Sequence, residues 1–173
     1  QNGASYEGDN KDLHAIVGAG TGLGIARGII SGREIKVLAS EGGHVEYSPK
    51  SKSEWELKLW LKNSLKVERV SCERIVSGTG LSRIAEWRLS KSDAKNHPLH
   101  KYFKDKKTSD DIRKELPEKI CKLSNEGDPL MNEVEQLWLR AYASLLGDIA
   151  LQELSFGGLW ISGGTAPKHF KNF

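Results

Sequence analysis

The feature that most constrains the fold is a run of alternating glycines near the start of the chain, Gly18-Ala19-Gly20-Thr21-Gly22-Leu23-Gly24. A short apolar run, Leu13 to Val17, precedes it and is typical of a buried strand. The residues from Leu23 to Ile30 alternate in character, which indicates a second strand. In a Walker phosphate loop or a dinucleotide fingerprint the glycine turn opens a helix, and here Leu23 stands where the last glycine of either motif would fall. We therefore expect a tight turn between two adjacent strands.

The tip of this turn has two interpretations. Its backbone N–H groups could bind a phosphate, or the segment could be a plain glycine-rich hairpin without a ligand. The residues alone favour neither. A further turn at Ser31-Gly32 and a returning strand from Glu34 to Ala39 predict a second hairpin directly after it.

The segment Glu41-Gly42-Gly43-His44 places a carboxylate and an imidazole on either side of two glycines. A polyhydroxylated ligand could approach this bare backbone closely while the polar side chains bind its hydroxyl groups. A second carboxylate, Glu73, opens another glycine-containing segment. Taken alone, the glycine pair is more simply a structural turn, and His44 a half-buried residue with satisfied hydrogen bonds. Three glycine-rich elements in one chain, each beside polar residues, favour a ligand site.

The middle of the chain predicts helices. Ser53 is the expected N-cap of the first helix, with Glu56 completing a capping box. A second helical segment starts at position 71 or 72 and continues to position 89, and two glycines interrupt it: Gly78 and Gly80. The stretch 91–107 is rich in Lys and Asp, and its two histidines, His97 and His100, have no acidic or sulfur partner at ligand spacing. We therefore expect a solvated loop there and not a metal site.

The last third of the chain predicts two further helices. Residues 108–111 cap the first of them, and Pro117 is a candidate kink within it. The breaker Gly127-Asp128-Pro129 separates it from a core helix that follows from Leu130. The apolar positions of that helix recur at helical spacing: Val134, Leu137, Trp138, Ala141, Leu145 and Ile149.

A final buried strand is expected from Leu159 to Ser162, and it ends in Gly163-Gly164-Thr165. A strand that ends in a glycine pair and continues into a helix can hold a nucleotide at the helix N-terminus. The simpler interpretation of this segment alone is a close turn between a strand and a helix.

Composition excludes several functional classes. With 173 residues, 38% hydrophobic and 28% charged, the chain fits one soluble globular domain. A net charge of +3, with acidic and basic residues interleaved, does not indicate nucleic-acid binding. Cys72 and Cys121 show no pair spacing, so we expect no disulfide framework, no zinc cluster and a reducing, cytoplasmic environment. No apolar run reaches membrane length, so we expect no membrane contact. Residues 1–11 are expected to form an exposed arm or linker.

Four blocks in one order, GAGTGLG, EGGHVEYSP, SCERIVSGTGL and FGGLWISGGTAP, resemble the large domain of the bacterial glucokinases. The blocks extend from Leu13 to about Phe170. The resemblance implies an α/β fold of the actin-like, ribonuclease-H-like ATPase type, with a mixed sheet and packed helices. It also implies that residues 1–173 are the large, C-terminal domain of such an enzyme, truncated at both ends.

The resemblance implies a role for each glycine-rich block. The sugar-binding residues carried over from the family are Glu41, Gly42, His44 and Glu73. Those that face ATP are Gly20, Thr21 and Gly22 at the phosphates, and Gly163, Gly164 and Thr165 beside the adenosine. The family's catalytic aspartate belongs to its small domain, so no catalytic residue is expected in this chain, which alone should be inactive. The family also uses Mg²⁺ on the ATP phosphates, with no metal site expected within this chain.

Departures from the family pattern leave some points open. The cysteine-rich motif of the zinc-bearing relatives is absent, which implies a zinc-free glucokinase. Thr79 stands where family members often have proline, and Ala19 where some members have it, so the shape of both turns stays open. The implied reaction is transfer of the ATP γ-phosphoryl group to the 6-hydroxyl of glucose. The alternatives are a non-catalytic hexose-binding or regulatory module and a kinase for another hexose. The phosphoryl donor and the oligomeric state, including a homodimer, are left open.

Overall fold

The computed structural model describes residues 13–31, 34–103 and 110–165. The expected N-terminal arm, residues 32 and 33 of the second turn, and the expected cap at Thr108 and Ser109 lie outside these ranges. The order of elements begins with three strands, continues through four α-helices and returns to a last strand. Within the described residues, no helix is both long enough and apolar enough to span a bilayer.

Four strands form one mixed sheet in the order β3-β2-β1-β4. They are β1 (Leu13–Ala19), β2 (Leu23–Ser31), β3 (Glu34–Ser40) and β4 (Gly158–Ser162). The first three are antiparallel neighbours, and β4 pairs with β1 in parallel. Gly18 pairs with Gly24 across the first turn, so both predicted hairpins are confirmed.

Only one face of this sheet is buried. Ala15, Val17 and Ala19 are fully buried on the helix-covered side of β1, whereas Ile16 points the other way and is 44% exposed. Trp160 pairs with Ile16 and is 57% exposed. Both predicted strands, at Leu13–Val17 and Leu159–Ser162, are present, but their predicted burial is correct only for the helix-covered face of β1. Strand β1 alternates, and β4 is an edge strand whose side chains remain in contact with solvent.

The four helices are α1 (Lys52–Leu65), α2 (Gly78–Leu89), α3 (Asp110–Asn125) and α4 (Pro129–Glu153). Helix α1 begins two residues earlier than predicted, because Ser51 and not Ser53 is its N-cap and accepts the N–H of Glu54 at 3.3 Å. Glu54 is then buried, where its carboxylate accepts the Tyr47 hydroxyl at 2.6 Å and the Lys50 N–H at 2.8 Å. Ser51 therefore supplies the cap, but the Glu54 carboxylate accepts the N–H of Lys50 and not that of Ser51, so only half of a capping box forms.

The prediction of one interrupted helix from position 71 is wrong. Residues Cys72–Arg74 form a separate 3₁₀ turn, and α2 starts afresh at Gly78 with Ser77 as its N-cap. The two glycines belong to the first turn of α2, where they allow close backbone approach. A Cβ at position 80 would collide with the carbonyl oxygen of Ile75.

Up to position 103, the segment after α2 consists largely of short turns and not of a solvated loop. Ser92–Ala94 and Pro98–Tyr102 form 3₁₀ turns. The His97 side chain is only 5% exposed, and its Nε2 lies 3.0 Å from an oxygen of Asp128. Asp128 also caps α4 by accepting the Met131 N–H. His97 therefore has an acidic partner that sequence spacing did not reveal, although the described residues contain no group of three potential metal ligands.

Helix α4 is the core helix that the sequence predicted. Its predicted apolar positions are buried except Leu137, which is partly buried. Trp138 reaches the N-terminus of α2, where its indole N–H donates to the carbonyl oxygen of Ser77 at 3.1 Å. Helix α3 runs through Pro117 with Leu116 and Ile120 fully buried. This packing fixes the start of α2 relative to the sheet, next to the first turn.

Candidate functional site

The glycine turn between β1 and β2 lies against the N-terminus of α2. The Gly78 N–H donates to the carbonyl oxygen of Gly20 at 2.7 Å, and the Thr79 hydroxyl donates to that of Thr21 at 3.1 Å. The Thr165 hydroxyl donates to the same Gly20 oxygen at 3.3 Å. Three segments far apart in the sequence thus meet at the end of β1. Two of them, the first turn and the segment of Thr165, are those that the resemblance assigned to ATP, and the third is the start of α2.

The turn itself leaves two backbone donors. The Gly20 N–H donates within the turn, to the Gly22 carbonyl oxygen at 2.9 Å. Within the described part of the chain, the N–H groups of Thr21 and Gly22 make no hydrogen bond. Of the predicted phosphate-facing residues, these two therefore have donors to offer an anion.

Gly163 closes the other side of this site. Its φ of +95° lies in the region that favours glycine, and a Cβ there would collide with the carbonyl group of Ala19. The Thr165 N–H donates to the same Ala19 oxygen at 3.1 Å. Gly164 faces open space, since a Cβ on it would meet no atom within 4 Å. The strand end is thereby fastened to β1 while Gly164 stays accessible.

The Gly42–His44 segment forms a 3₁₀ turn that lies against β2. Gly43 is buried there, and a Cβ would collide with the Leu23 carbonyl oxygen. The chain after the turn pairs with the segment before the Cys72–Arg74 turn. The Cys72 N–H donates to the Val45 oxygen and the Tyr47 N–H to the Val70 oxygen, each at 2.9 Å. This short antiparallel pairing holds the two 3₁₀ turns together.

The pairing brings His44 and Glu73 to the same cavity, which has a volume of about 280 Å³. One Glu73 carboxylate oxygen, Oε2, accepts the Leu23 N–H at 3.2 Å. The His44 ring is half exposed, and its Nε2 lies 3.7 Å from a carboxylate oxygen of Glu41. The Glu41 side chain is 90% exposed and does not line the cavity. Of the predicted sugar-binding side chains, two therefore converge directly, and the third reaches the site through His44.

Three arginines in this cavity were missed by the sequence analysis. Arg69, Arg74 and Arg83 line it together with Thr79. The Nη1 of Arg69 donates to the His44 carbonyl oxygen at 2.6 Å. This bond links the segment before the second 3₁₀ turn to the first 3₁₀ turn. The available signal was the presence of three basic residues within fifteen positions around Glu73, but such spacing does not show that they share a cavity.

Cys72, next to Glu73 in the chain, is 5% exposed and lines a different cavity. Burial, and secondarily the carboxylate of Asp148, raises the pKa of its thiol to about 11. The thiol is therefore neutral near pH 7 and is a poor nucleophile or metal ligand. The chemistry of the site depends on carboxylate, imidazole, guanidinium and backbone N–H groups.

The family model for glucokinase matches residues 3–173. The chain belongs to the glucokinase family. The glucokinase of Synechocystis sp. PCC 6803 is 36% identical over 160 residues, which are 89% of this chain and 45% of that protein. The glucokinase of Yersinia pestis is 30% identical over 165 residues, which are 92% of this chain and 44% of that protein. The chain thus spans a little under half the length of these relatives.

Solved glucokinase structures share the fold. That of an Antarctic psychrotroph aligns with a TM-score of 0.71 at 26% identity, over 96% of this chain and 47% of that one. That of Balamuthia mandrillaris, in complex with glucose, has a TM-score of 0.69 at 21% identity, over 94% of this chain and 43% of that one. The fold is the actin-like ATPase type of α/β fold, so the family and the fold expected from the four blocks are both confirmed.

Proposed function

We propose that this chain supplies the sugar site and half of the nucleotide site of an ATP-dependent glucokinase. The reaction is transfer of the ATP γ-phosphoryl group to the 6-hydroxyl of glucose. Membership of the glucokinase family supports this proposal. The observation that carries it is the convergence of His44 and Glu73 on one cavity next to the glycine turn and the start of α2. Its volume is near the lower end of the roughly 300–1,000 Å³ typical of small-molecule sites.

Sugar recognition follows from the chemistry of the predicted residues. The carboxylates of Glu41 and Glu73 accept hydroxyl hydrogen bonds, which are stronger to a charged acceptor than to a neutral one. His44 adds a ring nitrogen beside Glu41. Gly42 lines a different cavity, where a Cβ would lie 3.1 Å from the side chains of Ile25 and Ser40, so its proposed part is to let the segment turn tightly beside the sugar. A site of this kind rejects hexoses whose hydroxyls are missing or inverted, because its polar groups are then left unpaired. Glucose is therefore the substrate that we assign.

The nucleotide is proposed to lie along the glycine segments. The N–H groups of Thr21 and Gly22 face the phosphates, with Gly20 shaping the turn. Gly163, Gly164 and Thr165 border the adenosine. Mg²⁺ would accompany the ATP, since this ion usually keeps several waters and is bound through substrate phosphates. When bound, it supplies charge neutralisation of the phosphates.

Phosphoryl transfer depends mainly on positioning and electrostatic stabilisation. This chain aligns the sugar with the phosphates through the hydrogen bond between Thr79 and Thr21, which joins the sugar side to the turn. We propose that the catalytic aspartate comes from the half of the enzyme that the relatives have in addition. Closure of that half over the sugar would exclude water and protect ATP from hydrolysis. A reducing cytoplasm, where ATP is available, is the proposed location.

The assigned sugar roles are tested in the full-length enzyme with Glu73→Gln and Glu41→Gln. Each should raise the KM for glucose about tenfold or more, because one charge-assisted hydrogen bond to the sugar is lost. The KM for ATP should change little. Glu126→Gln is a matched control just after the end of α3, where the exposed Glu126 carboxylate forms an ion pair with Lys122. Equal effects on both KM values would contradict the roles assigned to Glu41 and Glu73.

The division of labour is tested with this chain by itself. In a coupled assay with glucose, ATP and Mg²⁺ we expect no turnover, because the proposed general base is supplied elsewhere. Rapid turnover by the isolated chain would refute that assignment. A full-length protein that binds glucose but phosphorylates no hexose in a substrate panel would instead favour the hexose-binding regulatory module.

A further inference from the structure

The cavity shared by His44 and Glu73 carries more positive charge than recognition of a neutral sugar requires. Its lining contains the guanidinium groups of Arg69, Arg74 and Arg83 but one carboxylate, that of Glu73. Counted as formal charges, with the His44 ring neutral, the lining carries two net positive charges. A cavity with this charge attracts an anion.

The pairing of these groups indicates where the excess charge lies. Arg69 uses Nη1 on the His44 carbonyl oxygen, and Glu73 uses Oε2 on the Leu23 N–H. Arg74 is half buried and, within the described residues, its side chain makes no hydrogen bond or ion pair. A half-buried guanidinium has lost part of its hydration, so a charged partner in the cavity would stabilise it. The flat, forked guanidinium matches the oxygens of a phosphate group in particular.

The position of the cavity indicates which phosphate could reach it. Thr79 lines the cavity, and its hydroxyl donates to the Thr21 carbonyl oxygen in the proposed phosphate-binding turn. The cavity therefore extends from the sugar-binding side chains to the turn. A phosphate at this boundary would be the group that is transferred, before or after it reaches the sugar.

We propose that Arg74, in the same cavity as Arg83, binds a terminal phosphate group next to the sugar. That phosphate is carried either by the hexose 6-phosphate product or by the nucleotide. This inference rests on the proposed function, because it places a phosphate beside a bound hexose. The phosphate would then be bound by a guanidinium group in addition to the backbone N–H groups of the glycine turn. In the product-bound form, the same contact would slow release of the sugar phosphate.

The test is isothermal titration calorimetry on the full-length protein, with glucose, glucose 6-phosphate and the non-hydrolysable nucleotide AMPPNP as separate titrants. Arg74→Gln should weaken the binding of one of the two phosphate ligands about tenfold, because one charge-assisted hydrogen bond is lost. Glucose affinity should stay within about twofold. Weaker binding of glucose 6-phosphate identifies the product as the source of the phosphate, and weaker binding of AMPPNP identifies the nucleotide.

Arg140→Gln is the matched control, since Arg140 is exposed on α4 and lines a different cavity. Arg74→Lys keeps the charge but not the fork and should recover part of the affinity; thermal unfolding shows whether each variant is folded. Unchanged affinity of Arg74→Gln for both phosphate ligands, or a loss confined to glucose, overturns the proposal, as does a wild-type protein that binds neither. Because binding needs no turnover, failure of the kinase assay is a separate result.

Discussion

Replacing Gly22 by alanine tests whether the phosphate-side turn and the Glu73 carboxylate belong to one site. A Cβ at position 22 would lie 2.8 Å from Oε2 of Glu73 and 3.6 Å from its Cδ. Ordinary contact begins near 3.4 Å, so the carboxylate oxygen must retreat by about 0.6 Å. That oxygen already accepts the Leu23 N–H at 3.2 Å, the long end of the normal range. The retreat would break this bond.

Two consequences of different size follow. Loss of one partly buried hydrogen bond to a carboxylate should lower the free energy of unfolding by about 1–2 kcal/mol. For a chain of this length, that is a fall in Tm of about 2–4 °C per kcal/mol. The effect on glucose phosphorylation should be larger than the effect on stability, because misplacing a substrate-binding group by about 1 Å can cost roughly 100-fold in catalytic efficiency. A shift of about half that distance predicts a loss of about tenfold in kcat/KM for glucose, which we expect as a higher KM because Glu73 is assigned to sugar binding.

Gly20→Ala in the same turn is the control, because a Cβ there would meet no atom within 4 Å. Steady-state kinetics of the full-length enzyme with glucose and ATP varied in turn, and a thermal melt of each variant, make the comparison. We expect the glucose KM to rise for Gly22→Ala and not for Gly20→Ala. Equal glucose KM values for the two variants would refute the geometric link between Gly22 and Glu73.

Three further outcomes follow from the contacts of single residues. Arg69→Ala removes the hydrogen bond to the His44 carbonyl oxygen. It should raise the glucose KM several-fold, roughly the effect of one hydrogen bond, and leave the ATP KM unchanged. Steady-state kinetics in which both KM values rise together would contradict this expectation. Cys72, with its thiol pKa raised from 9.0 to about 11 by burial, should react with iodoacetamide about 100-fold more slowly in the folded protein than after unfolding in urea. Equal rates in a Cys121→Ala background would contradict this. The hydrogen bond from Arg88 holds the pKa of the Asp93 carboxyl below its ordinary value. The pair therefore stabilises the fold fully at a pH above the ordinary pKa of Asp93, and this stabilisation is lost as the pH falls through the lowered pKa. Asp93→Asn should therefore lower the Tm more near neutral pH than at about pH 3. An equal fall in Tm at the two pH values would argue against a stabilising contact between Arg88 and Asp93.

The elements that the sequence predicted well are those whose pattern is local. The glycine run between alternating segments specified a turn between strands, since the last glycine of a helix-opening motif is replaced by Leu23. The long apolar repeat from Leu130 specified helix α4, because a spacing maintained over several turns outweighs individual propensities. Predictions failed where two local patterns competed. Ser51 and Ser53 are both acceptable caps, and the backbone geometry of Ser51 with the buried Glu54 decided between them.

Gly78 and Gly80 show a second kind of failure. A glycine within a helical pattern is normally taken as an interruption. Here both glycines lie in the first turn of α2, because that turn packs against the carbonyl groups of Gly20 and Ile75. His97 is similar, since its partner Asp128 is thirty-one positions away. In each case the deciding contact comes from another element, so no window of sequence contains it.

The sequence by itself determined the family, the order of the glycine-rich blocks and the residue types available for sugar and phosphate recognition, because these are properties of short segments. Only the tertiary structure decided that His44 and Glu73 share a cavity, that Glu41 stays outside it, and that Arg74 faces the same space without a partner in the described residues. It also left one face of the sheet exposed at Ile16 and Trp160. The physical reason is that the pairing of the two 3₁₀ turns and the packing of α2 on the first turn are long-range contacts, whose geometry depends on the whole core.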